Sequence, residues 1–340
     1  MKPRERVFSA LRFESPDKVP IECHLSPAGL VEHGEKLKEL WKQYPQDFND
    51  FTDVKIPTIA ASSFDSEGRY HTIERDEWGV EWEYLVSTVR RIPIHRPLDD
   101  LHNLKSYNPP SPPSTSGPSF FSERRRVERH RKKYFLKSGW ISIFELMHAL
   151  RRFEDVLIDL ALQTDEINQI ADMITEYQQG VIRYLLARGV DAIQFGDDFG
   201  TQQNLMLSKK MWREFFFPRY KHLMAPIKEA GVKIFFHSCG NVSKLLDDFR
   251  ELGVDAIWPQ LSLYELPSLA NRCRQKGLAV ALHLRAPLMV TGTPDQVRLR
   301  VEEVSDVFNV RQGGAWFYIE IDDGFPFDNI KALFEAITRL

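Results

Sequence analysis

The amino-acid sequence predicts a closed (β/α)8 barrel, the TIM-barrel fold, built as one domain over residues 1–340. Short β-branched or aromatic runs alternate with amphipathic stretches of helical period, which indicates a parallel sheet covered by helices. Eight of these runs have strand composition. Eight strands favour a closed barrel, although the count alone leaves an open doubly wound sheet as the alternative. The predicted strands are Val19–Leu25, Val54–Ile59, Tyr134–Trp140, Asp191–Asp197, Lys233–Cys239, Ala256–Gln260, Leu278–Leu284 and Trp316–Ile321.

A repeated pentapeptide supports this architecture. The sequence Gly-Val-Asp-Ala-Ile occurs at 189–193 and again at 253–257, each time after a predicted helix and before a predicted strand. A glycine that ends a helix just before a buried strand is typical of the short helix-to-strand loop. We therefore expect these two segments to be corresponding loops of a repeated β/α unit.

Three helix starts are marked by capping residues. Thr164 is a candidate N-cap of a long amphipathic helix that Gly189 ends, and a second helix follows Ser208. Residues 293–296, Thr-Pro-Asp-Gln, combine an N-cap threonine with a proline at the first helical position and a glutamine at the third. This capping box predicts a third helix.

Two stretches depart from the alternation of strands and helices. Residues 72–95 carry an alternating pattern that predicts a β-hairpin excursion on the barrel surface, between early strands. Residues 109–118 are rich in proline and serine, so they predict a loop inside the same domain. The basic run 124–133 has no interleaved aromatic residues, which favours a solvated helix face over an anion-binding patch.

Composition and charge exclude several classes of protein. Lys and Arg number 45 against 48 Asp and Glu, a net charge of −3, which gives no broad basic field for nucleic acid or a membrane surface. Three cysteines are too few for a disulfide scaffold, so we expect a cytoplasmic protein, and no apolar run is long enough to span a membrane. The expected partner is a small-molecule substrate. Aromatic residues such as Trp78 and Trp82 permit either a lid or a homodimer surface.

The segment 233–241 carries the most informative chemical pattern. Side chains alternate along a strand, so His237 and Cys239 face the same side at the carboxyl end of an apolar strand, where barrel active sites lie. An imidazole and a thiolate that converge suit Zn²⁺. Two ligands do not define a metal site, and a buried cysteine beside a hydrogen-bonded histidine is the alternative.

A third ligand has to come from another strand. Glu320 is the first choice, because it lies near the end of the last strand, where an unpaired carboxylate is unfavourable. Asp197 and Asp198 end the fourth strand and are candidates for general base, metal ligand or substrate anchor, with loop capping as the alternative. Cys273 lies in a helical segment outside the barrel and is expected to be structural.

Further polar residues follow other strands and are candidate substrate-binding groups: Glu22, His24, Gln260, His283 and Arg285. Their shared position at carboxyl ends favours a common site. The sequence contains no Walker loop, G-x-G-x-x-G, H-E-x-x-H or G-x-S-x-G motif. Nucleotide hydrolysis, dinucleotide binding, zincin proteolysis and α/β-hydrolase chemistry therefore have no support.

Several motifs together resemble a known family. They are the opening residues 3–7 with 16–20, the segments 195–202 and 237–242, and the Gly-Thr-Pro sequence at 292–294. In this order they resemble the uroporphyrinogen decarboxylase superfamily, which also contains zinc-dependent, corrinoid-linked methyltransferases. The resemblance spans nearly the whole chain, and it implies a (β/α)8 barrel.

Within this superfamily the resemblance favours the methyltransferase branch. Decarboxylases carry an Arg-rich segment after the first strand, where this chain has Glu-Cys-His-Leu-Ser-Pro at 22–27. The methyltransferases use a His-x-Cys pair, matched by His237 and Cys239, with a cysteine on the last strand as the third zinc ligand. This chain has no cysteine there, so either Glu320 replaces it or the metal site is altered.

The resemblance implies a zinc-dependent methyltransferase. Such an enzyme moves a methyl group between a corrinoid, free or on a carrier protein, and a thiol or other heteroatom. Asp197 or Asp198 would orient the substrate or take its proton. One alternative is metal-free decarboxylation of a tetrapyrrole, in which Asp197 or Asp198 stabilises a protonated pyrrole. Another is a catalytically silent protein that binds a corrinoid or its carrier.

Overall fold

The computed structural model describes residues 1–51, 54–86, 90–284 and 286–340. The strands in these ranges are β1 (Ile21–Leu25), β2 (Thr72–Arg75), β3 (Glu81–Val86), β4 (Arg90–His95), β5 (Lys137–Ile141), β6 (Ala192–Gly196), β7 (Lys233–Ser238), β8 (Ala256–Pro259), β9 (Ala279–His283) and β10 (Ala315–Ile321). Seven of them form one curled parallel sheet in the order β1-β10-β9-β8-β7-β6-β5. The predicted α/β barrel fold is therefore confirmed.

Helices connect the parallel strands and cover the outer face of their sheet. In the described chain they are α1 (Pro3–Leu11), α2 (Pro27–Gln43), α3 (Pro118–His130), α4 (Phe144–Leu150), α5 (Phe153–Leu162), α6 (Asp165–Arg188), α7 (Lys209–Glu229), α8 (Leu246–Leu252), α9 (Leu266–Lys276), α10 (Ala286–Thr291), α11 (Pro294–Phe308) and α12 (Phe327–Thr338). The predicted caps are confirmed: Thr164 caps α6, Gly189 ends it, Ser208 caps α7, and Thr293 and Gln296 form the capping box of α11. None of the helices described here combines the length and apolar composition that crossing a membrane requires.

The predicted second strand, Val54–Ile59, is wrong. These residues form no strand, and Pro57 among them lacks the N–H that a central strand needs. The place between β1 and β5 is held instead by the segment around Asp47. The Asp47 N–H donates to the Ile21 carbonyl at 3.0 Å, and the Asp47 carbonyl accepts from the Phe135 N–H at 3.0 Å. Seven strands and this short bridge therefore replace the eight strands expected.

Aspartate side chains bind the amino ends of the strands at three corresponding places. Two of them belong to the repeated pentapeptide, which explains why that sequence recurs. Each carboxylate accepts a backbone N–H at the start of the neighbouring strand: Ile21 binds Asp47 (2.9 Å), Leu136 binds Asp191 (3.0 Å) and Ile234 binds Asp255 (2.9 Å). Asp191 also pairs with Arg4 (2.8 Å) and with Arg131 (2.6 Å). The aspartate of the repeat therefore links one strand to its neighbour by a hydrogen bond.

Side chains alternate between the two faces of each parallel strand. Outward residues such as Phe195, Phe236 and Ile319 are buried under the helices. Inward residues fill the barrel toward the amino ends of the strands, where Val7 and Leu11 of α1 pack against buried aromatic side chains. At the carboxyl ends of the strands several inward positions are polar, so these groups gather at that end of the barrel.

Within the stretch 72–95, expected as a hairpin excursion, the described residues form the antiparallel sheet β2-β3-β4. Trp78, between β2 and β3, is buried against Tyr177 of α6, with ring centroids 4.8 Å apart. The Tyr107 hydroxyl donates to the Trp78 carbonyl at 2.7 Å. The sheet is therefore packed onto the barrel, and Trp78 is not part of an exposed dimer surface. Residues 109–117 contain no helix or strand.

We predict that Asp191→Ala lowers the free energy of unfolding by about 2–3 kcal/mol, because it leaves a buried N–H and two guanidinium groups without their acceptor. Denaturant unfolding measures the change. The exposed Asp306 serves as the control, since Asp306→Ala should change stability by less than about 0.5 kcal/mol. Equal effects of the two substitutions would show that the strand-joining contact contributes nothing.

Candidate functional site

Three potential metal ligands meet where β6 and β7 end. They are Asp198, His237 and Cys239, whose ligand atoms all lie within 4.8 Å of one another. The Nε2 atom of His237 is 3.4 Å from the Cys239 sulfur and 3.7 Å from Oδ1 of Asp198. The structure thus brings together the imidazole and the sulfur, as expected, and adds the carboxylate of Asp198.

The pairing of β7 with its neighbours positions the imidazole. His237 lies opposite Gly196 of β6 and Trp258 of β8. Gly196 leaves room for the Trp140 indole, since a Cβ at position 196 would lie 2.2 Å from that ring. The centroids of Trp140 and Trp258 lie 5.7 and 4.0 Å from that of the His237 ring. Two indoles therefore confine the imidazole and restrict the access of water to it.

Two glycines bring the carboxylate close to the cysteine. The loops after β6 and β7 meet at Gly200 and Gly240, where a Cβ on Gly240 would lie 2.1 Å from the Gly200 backbone. Gly240 also has a φ of 78°, which favours glycine. The Cys239 N–H donates to Oδ1 of Asp198 at 2.6 Å, and the Gly240 N–H donates to Oε1 of Gln260 at 3.0 Å. Gln260, a predicted substrate-binding residue, therefore supports the loop that carries Cys239.

The His237 ring is oriented by a backbone hydrogen bond. Nδ1 lies 2.8 Å from the Trp258 carbonyl, so the neutral ring donates its proton there and turns the lone pair of Nε2 toward Cys239 and Asp198. Burial lowers the pKa of His237, and the Asp198 carboxylate opposes this shift. The surroundings of the ring therefore favour a neutral imidazole with an available nitrogen.

The spacing of the donor atoms matches four-coordinate zinc. Tetrahedral sites with bonds of about 2.0–2.3 Å place their ligand atoms roughly 3.3–3.8 Å apart. The distances from Nε2 of His237 to the Cys239 sulfur and to Oδ1 of Asp198 are 3.4 and 3.7 Å. Zinc accepts nitrogen, sulfur and oxygen donors, and three protein ligands leave a fourth position open. These residues therefore fit a catalytic zinc ion.

Asp197 and Asp198 are adjacent but have different surroundings. Asp197 is fully buried, and its carboxylate accepts hydrogen bonds from the Ile143 N–H (2.7 Å), the Glu145 N–H (2.7 Å) and the Tyr220 hydroxyl. Burial raises the pKa of Asp197, and these donors oppose the shift. The structure thus encloses Asp197 between the start of α4 and α7, whereas Asp198 faces the sulfur and the imidazole.

A cavity of about 630 Å³ lies inside the barrel mouth and is lined by Glu22 and His24 among other residues. The buried Glu22 carboxylate pairs with the ammonium group of Lys137 at 2.5 Å and accepts the Trp316 indole N–H at 2.9 Å. Each charge of this ion pair compensates the other. Glu22 and Lys137 therefore form a polar patch without net charge, while His24 is exposed at the same cavity.

Glu320 lines this cavity but lies apart from the three metal-type ligands. β8 and β9 stand between β7 and β10, and the Glu320 carboxylate is 3.8 Å from Nε2 of His283. Burial raises the pKa of Glu320 to about 7, and the Asp322 carboxylate adds to the shift. The carboxylate that the structure places beside His237 is therefore that of Asp198, in place of the expected Glu320.

A second cavity of about 390 Å³ lies between the barrel and the sheet β2-β3-β4, and Asp198 lines it. Arg91 and Trp140 border both cavities. Glu145 also lines the second cavity and accepts the Trp140 indole N–H at 3.1 Å. Burial and the carboxylates of Asp197 and Asp198 raise the pKa of Glu145 to about 8. Of the three potential metal ligands, Asp198 therefore borders the second cavity, and Trp140, which lies against the His237 ring, borders both cavities.

Several residues at the site were absent from the sequence-based prediction. Lys137 lies two residues after Phe135 in a predicted strand, so the two side chains share one face of that strand. A lysine on the inward face of an apolar strand could have indicated a polar site. Arg91 gave no such signal, because it comes from the separate antiparallel sheet. Cys273 is buried in α9, and the predicted substrate-binding residue Arg285 lies outside the described residues.

A parallel α/β barrel with potential nitrogen, sulfur and oxygen ligands at the carboxyl ends of its strands defines the class, a barrel protein with a candidate metal site. Comparison with known proteins gives the family. The chain belongs to the uroporphyrinogen decarboxylase (URO-D) family, whose model matches residues 2–340. The family expected from the sequence motifs is therefore confirmed.

Two relatives are methyltransferases by name. The methylcobamide:CoM methyltransferase MtbA of Methanosarcina mazei is 20% identical over 319 residues, which cover 89% of each protein. The solved structure of a methyltransferase from Methanosarcina mazei superposes with a TM-score of 0.68 at 14% identity, covering 100% of this chain and 99% of that one. The structural likeness supports the same fold over the whole chain.

We predict that Gly240→Ala destabilises the protein by more than about 3 kcal/mol, because it adds a clash with the Gly200 backbone to the strain of a positive φ. Gly231→Ala is the matched control. Gly231 has a φ of 68°, and no atom lies within 4 Å of the position that an alanine methyl group would occupy, so only strain of about 1–2 kcal/mol is expected. Denaturant unfolding compares the two, and equal losses would contradict the close loop contact.

Proposed function

We propose that this protein is a zinc-dependent methyltransferase that transfers a methyl group between a corrinoid and a small thiol. The observation that carries the proposal is the set of three donor atoms in the barrel mouth that all lie within 4.8 Å of one another. The similarity to a methylcobamide-dependent methyltransferase supports the same reaction class. The methyl donor is a methylated corrinoid, free or carried by a partner protein.

Asp198, His237 and Cys239 would hold the zinc ion. The Trp258 carbonyl keeps the His237 ring turned so that Nε2 is the ligand atom, and the Cys239 N–H fixes the carboxylate of Asp198. Zinc, when bound, lowers the pKa of a coordinated thiol and so provides a thiolate at neutral pH. Glu320 is left out of this ligand set because of its distance along the sheet.

In the proposed transfer, the residues of the protein position the substrate and exclude water. Trp140 and Trp258 shield the imidazole, and the two cavities that Trp140 borders, one of them lined by Asp198, would receive the thiol substrate. A bound methyl corrinoid would supply the methyl group: the substrate thiolate would form the sulfur–carbon bond as the carbon–cobalt bond breaks, with its electron pair remaining on cobalt. The thiol proton would pass to solvent before this step.

Decarboxylation of a porphyrinogen remains the competing activity. A substrate with many carboxylates needs several arginine forks. Among the described residues that line the larger cavity, the only cationic side chains are Arg91 and Lys137, and Lys137 is paired with Glu22. This lining disfavours the decarboxylase reaction. Conversion of uroporphyrinogen to coproporphyrinogen by the purified protein would support the decarboxylase in place of the methyltransferase.

We predict about one zinc ion per chain in protein purified without chelator. His237→Ala, Cys239→Ser and Asp198→Asn should each lower zinc affinity by more than about tenfold, since each removes one of three protein ligands. Glu320→Gln should leave the affinity unchanged. Competition with a chelating dye measures all four variants.

Methyl transfer is tested with methylcobalamin and a series of thiols, by the absorbance change of the corrinoid on demethylation. Wild-type protein with bound zinc should accelerate the reaction, and zinc-free protein should not. Full activity without zinc would refute the mechanism. Tight corrinoid binding without transfer to any thiol would favour the catalytically silent binding protein.

A further inference from the structure

The charges that line the larger cavity do not all compensate one another. Glu22 and Lys137 form an ion pair at 2.5 Å, which accounts for one carboxylate and one cation. Among the other described lining residues, Glu320 and Arg91 carry the remaining full charges. Neither is in an ion pair with a Lys, Arg, Asp or Glu side chain of the described chain. A ligand in this cavity therefore meets Glu320, whose carboxylate lies 3.8 Å from Nε2 of His283, and Arg91.

The Glu320 carboxylate is short of hydrogen-bond donors. No donor of the described residues binds it, and the His283 ring nitrogen is 3.8 Å away. Its side chain retains 29% exposure, toward the cavity that it lines. Burial raises the pKa of Glu320 to about 7, with the Asp322 carboxylate adding to the shift and the Lys137 ammonium group opposing it. An ammonium group of a ligand would supply both the charge and the donors that the carboxylate lacks.

The aromatic walls of the cavity add to the preference for a cation. Trp258 and Tyr318 line it with ring centroids 4.2 Å apart, and Tyr318 is adjacent to Glu320 on the inward face of β10. Aromatic faces attract cations, and the Lys137 ammonium group already lies 5.3 Å from the centroid of the Tyr318 ring. Tyr318 is 6% exposed, and its hydroxyl makes no hydrogen bond with the described residues. This hydroxyl is a further polar contact for a ligand.

Arg91 offers the complementary group at the other side of the site. Its guanidinium stacks on the Trp82 indole at 4.1 Å, a contact that orients the group but leaves its in-plane N–H donors free. No carboxylate of the described residues lies within 4.0 Å of Arg91, and Glu145 acts on it only at longer range. A guanidinium held in this way suits a ligand carboxylate, which it can bind through two N–H donors.

We infer that the methyl acceptor is a small zwitterionic thiol, with its ammonium group bound by Glu320 and Tyr318 and its carboxylate bound by Arg91. This inference rests on the proposed function for the position of the sulfur, at the ligands Asp198, His237 and Cys239. A purely anionic thiol would leave Glu320 uncompensated and would place a second negative charge beside it. A neutral thiol would use neither charged group.

The experiment measures binding of the methylated products, which need no metal–thiolate bond. S-methylcysteine is compared with 3-(methylthio)propionate, which lacks the ammonium group, and with 2-(methylthio)ethylamine, which lacks the carboxylate. Calorimetry on the full-length protein, with and without zinc, gives the dissociation constants. S-methylcysteine should bind about tenfold or more tightly than either analogue, since each loses one charged hydrogen-bonding contact. A second series compares methionine with its analogues that lack the ammonium group or the carboxylate. In this series one additional methylene separates the sulfur from the charged groups.

Two variants assign the contacts. Glu320→Gln should remove the advantage given by the ammonium group and leave 3-(methylthio)propionate binding unchanged or stronger. Arg91→Gln should remove the advantage given by the carboxylate and leave 2-(methylthio)ethylamine unchanged. Glu302→Gln and Arg125→Gln change the same charges at exposed positions away from the cavity and should alter none of the constants.

The inference is overturned if the anionic analogue binds as tightly as the zwitterion in both series, or if Glu320→Gln weakens all ligands equally. These outcomes are independent of the proposed function. Zinc binding with methyl transfer to an anionic thiol would retain the methyltransferase and refute the zwitterionic acceptor. Selective binding of the zwitterion without zinc or methyl transfer would retain the charged subsite and refute the reaction.

Discussion

The register of three parallel strands determines where the imidazole of His237 lies, and the rest of the site depends on it. β7 pairs with β6 and β8 so that His237 is level with Gly196 and Trp258. A shift of one residue would turn the imidazole outward, to the side where Phe236 is buried under the helices. The hydrogen bond from Nδ1 to the Trp258 carbonyl also requires this register. Strand pairing therefore decides both the position of the ring and the nitrogen that it presents.

The parts of the fold with a periodic signal could be predicted from the sequence. Alternation within a strand places His237 and Cys239 on one face, and capping residues mark the starts of α6, α7 and α11. The second strand could not be found in this way. Val54–Ile59 has strand composition, but the position between β1 and β5 is taken by the bridge at Asp47, which has no run of β-branched residues to reveal it.

The carboxylate of Asp198, which lies beside His237 and Cys239, could not be selected from the sequence for a related reason. Glu320 has the correct face and the correct end of its strand, but the sequence does not tell which strands are neighbours across the barrel mouth. Asp198 reaches His237 because two loops meet at Gly200 and Gly240, a backbone contact without periodicity. Asp197 and Asp198 look equivalent in the sequence, and only the packing of Tyr220 and α4 separates a buried structural carboxylate from an available one.

The potential metal ligands lie outside the lining of the larger cavity, which holds the charged groups, and this separation bears on the choice of substrate. Trp258 stands between the two, with its ring centroid 4.0 Å from that of His237 and 4.2 Å from that of Tyr318. A metal ion bound at His237 would therefore be separated by the Trp258 indole from the Glu320 carboxylate, which would otherwise compete with a substrate thiol for the open coordination position. Because Glu320 lies apart from the potential metal ligands, its carboxylate would remain available to the far end of the proposed substrate, while the substrate sulfur would lie on the His237 side of this indole.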